Sequence, residues 1–338
     1  MLTMLVAVTG ASGHLGANVV RTLLQHGHRV RAIVHHCTRG IDGLPVEQVF
    51  ADVLNLNSLQ LVLAGTDMVI HLAGKISIVT WDREQVEAIN ITGVKNVVAA
   101  CLSTGVKRFV HVSSIHSHEQ APLKEELNET RPLVDSRNAT IYDSSKARGE
   151  QMVREGMQNG LNAIIINPTG IIGPYDFEPS LFGAGLLTFA RGNIPLTIGG
   201  GFDWVDARDV AEGILQAAEL APPGEKYLLS GHWVTLHQVA HQVCSVMGKR
   251  PPLTAFPMWG AVCVAPILTA FDRVAGRRPL LTTAAVKALG SNKVISHAKA
   301  SRAFGYQPRP FTDTIADTLE WFRLNGFLQV KKANYAPR

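Results

Sequence analysis

One stretch near the start of the chain constrains the fold most: Leu5-Val6-Ala7-Val8-Thr9-Gly10-Ala11-Ser12-Gly13-His14-Leu15-Gly16. Its β-branched apolar run reads as a buried parallel strand, and it ends in glycines spaced three apart. Ala17 to Leu24 then carries apolar residues at helical spacing. Strand, glycine turn and helix set a helix N-terminus where a phosphate can be held. Glycine permits the sharp turn and the close backbone approach that a Cβ would hinder. A tight turn that binds nothing would also explain the glycines taken alone. A second strand, Arg29 to Val34, follows at the spacing of a βαβ unit, and with it the stretch reads as a dinucleotide site.

A length of 338 residues suffices for one large or two modest domains with a full core. With 46% hydrophobic and 17% charged residues the chain is globular, and its charge of +5 comes without a basic block. Nucleic-acid binding is therefore not expected. Cys37, Cys101, Cys244 and Cys263 lack zinc or disulfide spacing and read as reduced thiols of a cytoplasmic protein. No histidine–carboxylate grouping suggests a metal. From Pro251 to Phe271 there is no charge, yet Pro252, Pro257 and Pro266 cut the segment too short for a span. It reads as a core or substrate-pocket helix, with membrane-surface or dimer contact as the alternative.

Further strands are expected at 46–52, 66–74, 107–114 and 163–168. Helices are expected at 54–63, capped by Asn57 or Ser58, and at 84–103, stopped by Gly105. Alternating strands and helices predict an α/β protein with a doubly wound parallel sheet. Gly10 to Gly16, Asp52, Ala73-Gly74, Ser113-Ser114 and Pro168 all fall at strand carboxyl ends, where such sheets bind ligands. Beyond Gly173-Pro174 the pattern loosens into a smaller, interleaved region at 176–338. Trp204 to Val210 looks like a return to the main sheet, so the first domain is 1–175 plus about 203–222.

Tyr142 and Lys146 stand one helical turn apart, placing a phenol and an ammonium on one face. A nearby ammonium lowers a phenol pKa toward the working range. Ser114 or Ser113, at the end of the neighbouring strand, could hold a substrate oxygen while Tyr142 passes a proton. An ordinary amphipathic helix would give the same pair, so the reading depends on the upstream glycine turn. His116 and His118 read as solvated loop residues, His71 as core, and Asp206 and Asp209 as loop or helix-start residues.

These residues resemble the extended short-chain dehydrogenase/reductases over nearly the whole chain. The resemblance rests on Thr9 to Gly16, Asp52-Val53, His71-Leu72-Ala73-Gly74, Asn90-Ile91-Thr92-Gly93, Ser113-Ser114, Tyr142 with Lys146, and Asn167-Pro168 with Gly173-Pro174. It implies a Rossmann-type sheet, a Ser114–Tyr142–Lys146 triad, and Asn90 holding the active-site helix or a relay water. The cofactor would meet Gly10, Ser12, Gly13, His14, Leu15, Gly16, His35, Arg39, Asp52, Val53, Leu72, Ala73, Gly74, Pro168, Gly170 and Ile171, besides Tyr142 and Lys146. The family's habit also implies a homodimer through helices near 84–103 and 142–157.

NAD-preferring relatives place an acid at the end of the second strand. Here Val34-His35-His36-Cys37-Thr38-Arg39 has none before Asp42, so NADP is expected, with NAD as the alternative. Ile115 and His116 stand where sugar dehydratases carry an acid. The Asn167 to Pro174 stretch is similar to dihydroflavonol reductases and 3β-hydroxysteroid dehydrogenases. The expectation is therefore hydride transfer to or from a carbonyl/alcohol pair on a small hydrophobic or aromatic substrate. Two alternatives stand beside it. A nucleotide-sugar 4-epimerase would grip a diphosphate through Arg191, Arg208, Arg277 or Arg278, and a non-catalytic cofactor-binding scaffold would need none of these.

Overall fold

The computed structural model describes residues 3–328 apart from 136–138, 193, 277, 278 and 280. Arg277 and Arg278 thus lie outside the described residues. The main sheet is built from β1 (Leu5–Thr9), β2 (Arg29–Val34), β3 (Glu47–Phe50), β4 (Met68–His71), β5 (Arg108–Val112) and β6 (Ala163–Pro168). β7 (Gly170–Ile172), β8 (Leu196–Ile198) and β9 (Gly201–Asp206) then leave it, and β10 (Lys226–Leu229) rejoins it. The order is β10-β6-β5-β4-β1-β2-β3, all parallel, so the chain reverses direction between β1 and β4. That reversal opens the crevice in which a doubly wound sheet binds its ligand. β9 pairs with both β7 and β11 (His232–Thr235), and β8 pairs with β12 (Thr254–Phe256), in two small sheets.

Successive strand residues face opposite ways, so each helical layer buries every second one. Val6, Val8 and Ile70 pack under α1 (His14–Gln25), with α2 (Leu56–Leu63) to α6 (Leu181–Arg191) intervening in the chain before α7 (Ala207–Leu220) completes that layer. Ala7, Val69, Phe109 and Ile165 pack on the other face, under α2, α4 (Val94–Thr104) and α5 (Ile141–Gln158). A third core gathers α6, α8 (Leu236–Val246) and α12 (Phe311–Leu324), which lies beyond α9 (Met258–Val274), α10 (Thr283–Ala288) and α11 (Ala298–Phe304).

Several local expectations shift. α2 begins earlier than Asn57 or Ser58, because Asn55 accepts from the Ser58 amide at 3.1 Å and so caps it. The helix expected over 84–103 is split into α3 (Arg83–Glu87), a π-helical turn Ala88–Gly93, and α4, which Gly105 closes at φ 68°. Trp204 to Val210 does not add a strand to the main sheet. β10 occupies the β6 edge, and only α7 returns to pack on the main sheet, against α1. Pro266 does not cut its segment but lies within α9, which buries Gly260, Ala261 and Ala265 and leaves most of its apolar side chains outside. The core reading of that segment is thereby overturned: its small residues face inward and its large ones outward. No helix among the described residues is long and apolar enough to cross a membrane.

Candidate active site

The glycine turn closes against the neighbouring strand end. A Cβ on Gly10, where φ is 68°, would stand 2.8 Å from the Ala73 amide nitrogen, and one on Gly16 would stand 2.1 Å from the Gly10 carbonyl oxygen. Neither position admits a side chain without moving backbone. Thr9 draws the two strand ends together: its Oγ1 accepts from the amides of Leu72 and Ala73 at 3.2 Å each and meets His71 Nδ1 at 2.7 Å. Gly13 caps α1 without a side-chain bond, so the first amides of that helix are left to a ligand. The cradle fits a dinucleotide pyrophosphate.

Other expected cofactor residues spread differently. His14 Nε2 meets the Gly173 carbonyl at 3.1 Å, tying the turn to the loop after β7. His35 stacks near His36 and lies 3.5 Å from the Asp52 carboxylate, both largely exposed. Arg39 sets its guanidinium 5.7 Å over the Phe327 ring. Val53 packs against Gly93, Gly170 backs onto the Asp203 carbonyl, and Ile171 joins the core beneath α1. Gly40, which sequence reasoning missed, lets the loop after β2 lie on the glycine turn, since a Cβ there would be 2.4 Å from the Ser12 carbonyl oxygen.

The residues expected to react, Ser114, Tyr142 and Lys146, gather where β5, β6 and α5 meet. Thr140 caps α5 through the Asp143 amide at 3.2 Å and so sets Tyr142 in the first turn. Ser114 is buried just past β5 and accepts from the His116 amide at 3.2 Å, with its hydroxyl near enough to the Tyr142 phenol to pull the phenol pKa down. The two serines separate clearly, because Ser113 Oγ is buried with no hydrogen-bond partner among the described residues. Burial pushes the Tyr142 phenol up to about 12, against the pull of Ser114, and Asp143 adds to the rise. Burial overrides the lowering expected from Lys146, whose ammonium donates to the Val112 carbonyl at 3.3 Å. Lys146 itself is lowered by burial to about 8, with Glu150 opposing.

Asn90 is buried in the π-helical turn, where an extra residue in the turn swings a side chain inward. Its amide clasps Lys75, accepting from the Lys75 amide at 2.8 Å and donating to its carbonyl at 2.9 Å, and also donates to Ser145 Oγ at 2.9 Å. Gly149 permits this approach, since a Cβ there would lie 2.7 Å from the Asn90 carbonyl oxygen. A Cβ on Gly74 would lie 3.3 Å from both Asn90 Oδ1 and Lys146 Nζ, which brings the end of β4 into the same cluster.

Behind Ser114 lies a polar network that sequence reasoning missed. Asn167 donates to the Ser114 carbonyl at 3.0 Å and to the Glu150 carboxylate at 2.5 Å, while Ser117 donates to Glu150 at 2.5 Å. The signal was present as a glutamate on the inward face of α5, one turn beyond Lys146. His118 is fully buried here, 2.5 Å from Lys226 Nζ, and burial lowers it to about 4. It is therefore not a solvated loop histidine. His116 is partly buried with its ring 6.4 Å from that of Tyr142, held inward by the turn that Ser114 caps. Asp206 and Asp209 do fix helix and loop: Asp206 caps α7, and both bind Arg309.

The profile of the NAD dependent epimerase/dehydratase family matches residues 6–230, and the chain belongs to that family. The chain is 32% identical to sterol demethylase protein B of Methylococcus capsulatus, over 95% of this chain and 99% of that one. It is 28% identical to a putative dihydroflavonol 4-reductase of Synechocystis, over 96% of each. The crystal structure of gox2253 superposes with a TM-score of 0.85 at 31% identity, covering 97% of this chain and all of that one. Together these define an NAD(P)-dependent enzyme of the short-chain dehydrogenase/reductase type, with oxidoreductase chemistry.

Proposed function

We propose that this protein is an NADP(H)-dependent oxidoreductase that reduces a carbonyl on a small, hydrophobic molecule. The observation that carries the reading is the gathering of the Ser114 hydroxyl past β5 with Tyr142 and Lys146 one turn apart on α5, Lys146 reaching the Val112 carbonyl at 3.3 Å. Gly10 to Gly16 would hold the pyrophosphate of the cofactor, whose nicotinamide would supply the hydride. Ser114 orients the substrate oxygen and Tyr142 gives it a proton. Lys146 stabilises the phenolate left behind, and Asn90 holds the end of β4 against α5. In this proposal residues 1–175 with about 203–222 hold the cofactor and 176–338 shape the substrate, in a cytoplasmic homodimer. A substrate of sterol-like or flavonoid-like character agrees with the names of the similar proteins.

Little favours the epimerase alternative. Arg208 is paired to Asp206 and Asp317, both at 2.7 Å, and so is engaged rather than waiting for a diphosphate. The deciding assay is NADPH oxidation against apolar ketones and aldehydes, beside a test of UDP-glucose for epimer formation. Steady NADPH loss with an apolar carbonyl is expected; epimer formation without it would overturn the reading.

With no acid at the end of β2 and two histidines there, NADPH should be favoured over NADH by roughly tenfold or more in kcat/KM, the worth of one charge-assisted contact. Parallel kinetics with both cofactors check this. A second expectation concerns pH. Because Lys146 sits near 8, it loses its charge as pH rises through that value, and the phenolate loses its stabilisation. The kcat/KM for reduction should therefore fall above about pH 8, and a profile level to pH 10 would remove Lys146 from the mechanism.

A further inference from the structure

Outside the active site, α9 presents an apolar stripe to solvent. Trp259, Ile267, Phe271 and Val274 are 77%, 70%, 64% and 91% exposed, at spacings of one or two helical turns. The opposite face is anchored by Ala261 and Ala265 against Val286 of α10. The helix is thus fixed to the protein by small residues and offers its large ones outward. Such a face, exposed on a folded protein, marks a contact surface.

Its surroundings select the occupant. Residues 251–271 carry no charge, whereas Lys249 and Arg250 precede them and Arg273, Arg277 and Arg278 follow, with Asp272 the single acid between 249 and 278. An apolar stripe with tryptophan at one end and cations beyond both ends matches an anionic lipid surface. A second copy of the chain fits less well. Helix α9 is about 25 Å long and about 10 Å wide, far short of the ~800 Å² per partner in a stable interface.

We propose that α9 lies in the headgroup region of an anionic bilayer and holds the enzyme on the membrane surface. Arg273 in the last turn of α9, with Gly276 and Pro279 beyond the helix, lines one wall of a cleft of about 320 Å³, whose other wall carries Ile76, Ile78, Val79 and Trp81. Arg273 sits 4.7 Å over the Trp81 ring at its rim. Lys75, which Asn90 clasps, directly precedes that second wall in the chain, so the cleft adjoins the segment that leads to the active site. Delivery of an apolar substrate along this path rests on the proposed reaction; the membrane attachment itself does not.

The test is co-sedimentation of the full chain with phosphatidylcholine vesicles, with and without phosphatidylglycerol. The wild type should partition onto the anionic vesicles, with Trp259 quenched by brominated lipid and that quenching lost in Trp259→Phe. The double substitution Ile267→Asp with Phe271→Asp removes two exposed side chains and should weaken partitioning by at least roughly tenfold without changing the thermal midpoint. Equal binding to neutral vesicles, no binding to either, or unchanged binding of the double variant would each overturn the proposal. So would a wild-type oligomer that the double variant dissociates in the absence of lipid. Vesicle binding without turnover of any ketone would count against the reaction alone.

Discussion

Tyr142→Phe should lower kcat for carbonyl reduction by roughly 10²–10⁴-fold, the usual worth of a positioned proton donor. Cofactor affinity should stay within a few-fold of the wild type. The substitution removes one oxygen and leaves the ring that packs beside His116, so the fold should be unaffected. Burial keeps the phenol protonated to about pH 12, which makes it a donor at neutral pH but a weak one. Proton gain by the substrate oxygen must then be matched by phenolate formation beside Lys146, which is why the ammonium one turn away matters. Cofactor titration by fluorescence, together with single-turnover rates, separates binding from chemistry. Turnover at the wild-type rate would show that the proton comes from elsewhere, with His116, its ring 6.4 Å from that of Tyr142, the next candidate. A Ser114→Ala change should cost less, because the oxygen it orients can still meet Tyr142.

The elements that place this chemistry were legible because each carries its own local signature. The glycine turn needs positive φ at Gly10 and missing side chains, and β1, β4 and β6 are apolar runs rich in valine or isoleucine. The Tyr142–Lys146 spacing follows directly from the helical repeat. What the sequence hid were long-range packing decisions. Asn90 was singled out by the family resemblance alone, because nothing local announces the extra residue that turns it inward. His118 looked like a solvated loop residue and nothing singled out Glu150, but β6 and β10 bring Asn167 to Glu150 and Lys226 to His118 from far along the chain. Residues 251–271 showed the opposite failure. Hydrophobicity alone read as burial, whereas the alternation of small and large side chains in α9 had already set which face would pack.

The second large effect should appear in acid. His71, His111 and His118 are buried, and burial lowers all three: His71 to about 3, His118 to about 4 and His111 well below its usual value. A group whose folded pKa is depressed stays unprotonated in the native state while the unfolded chain takes up a proton. Stability is therefore complete above the ordinary histidine pKa and is lost as pH falls below it. Each such histidine can contribute up to about 1.4 kcal/mol of loss per pH unit. Three together reach roughly 4 kcal/mol per unit, a large share of the ~5–15 kcal/mol that holds a typical fold. The urea midpoint should drop steeply from pH 6.5 toward pH 5 and stay level from pH 7 to 8. His111→Phe isolates one contribution. The ring stacks 5.6 Å from His71 and 6.4 Å from Phe109, and neither of its nitrogens has a hydrogen-bond partner among the described residues. A phenyl ring should occupy that place without the proton liability, making the variant more stable than the wild type at pH 5 and shallower in its acid slope. If the two slopes coincide, proton uptake at His111 is not what unfolds the protein in acid, and the loss must come from groups outside this ring stack.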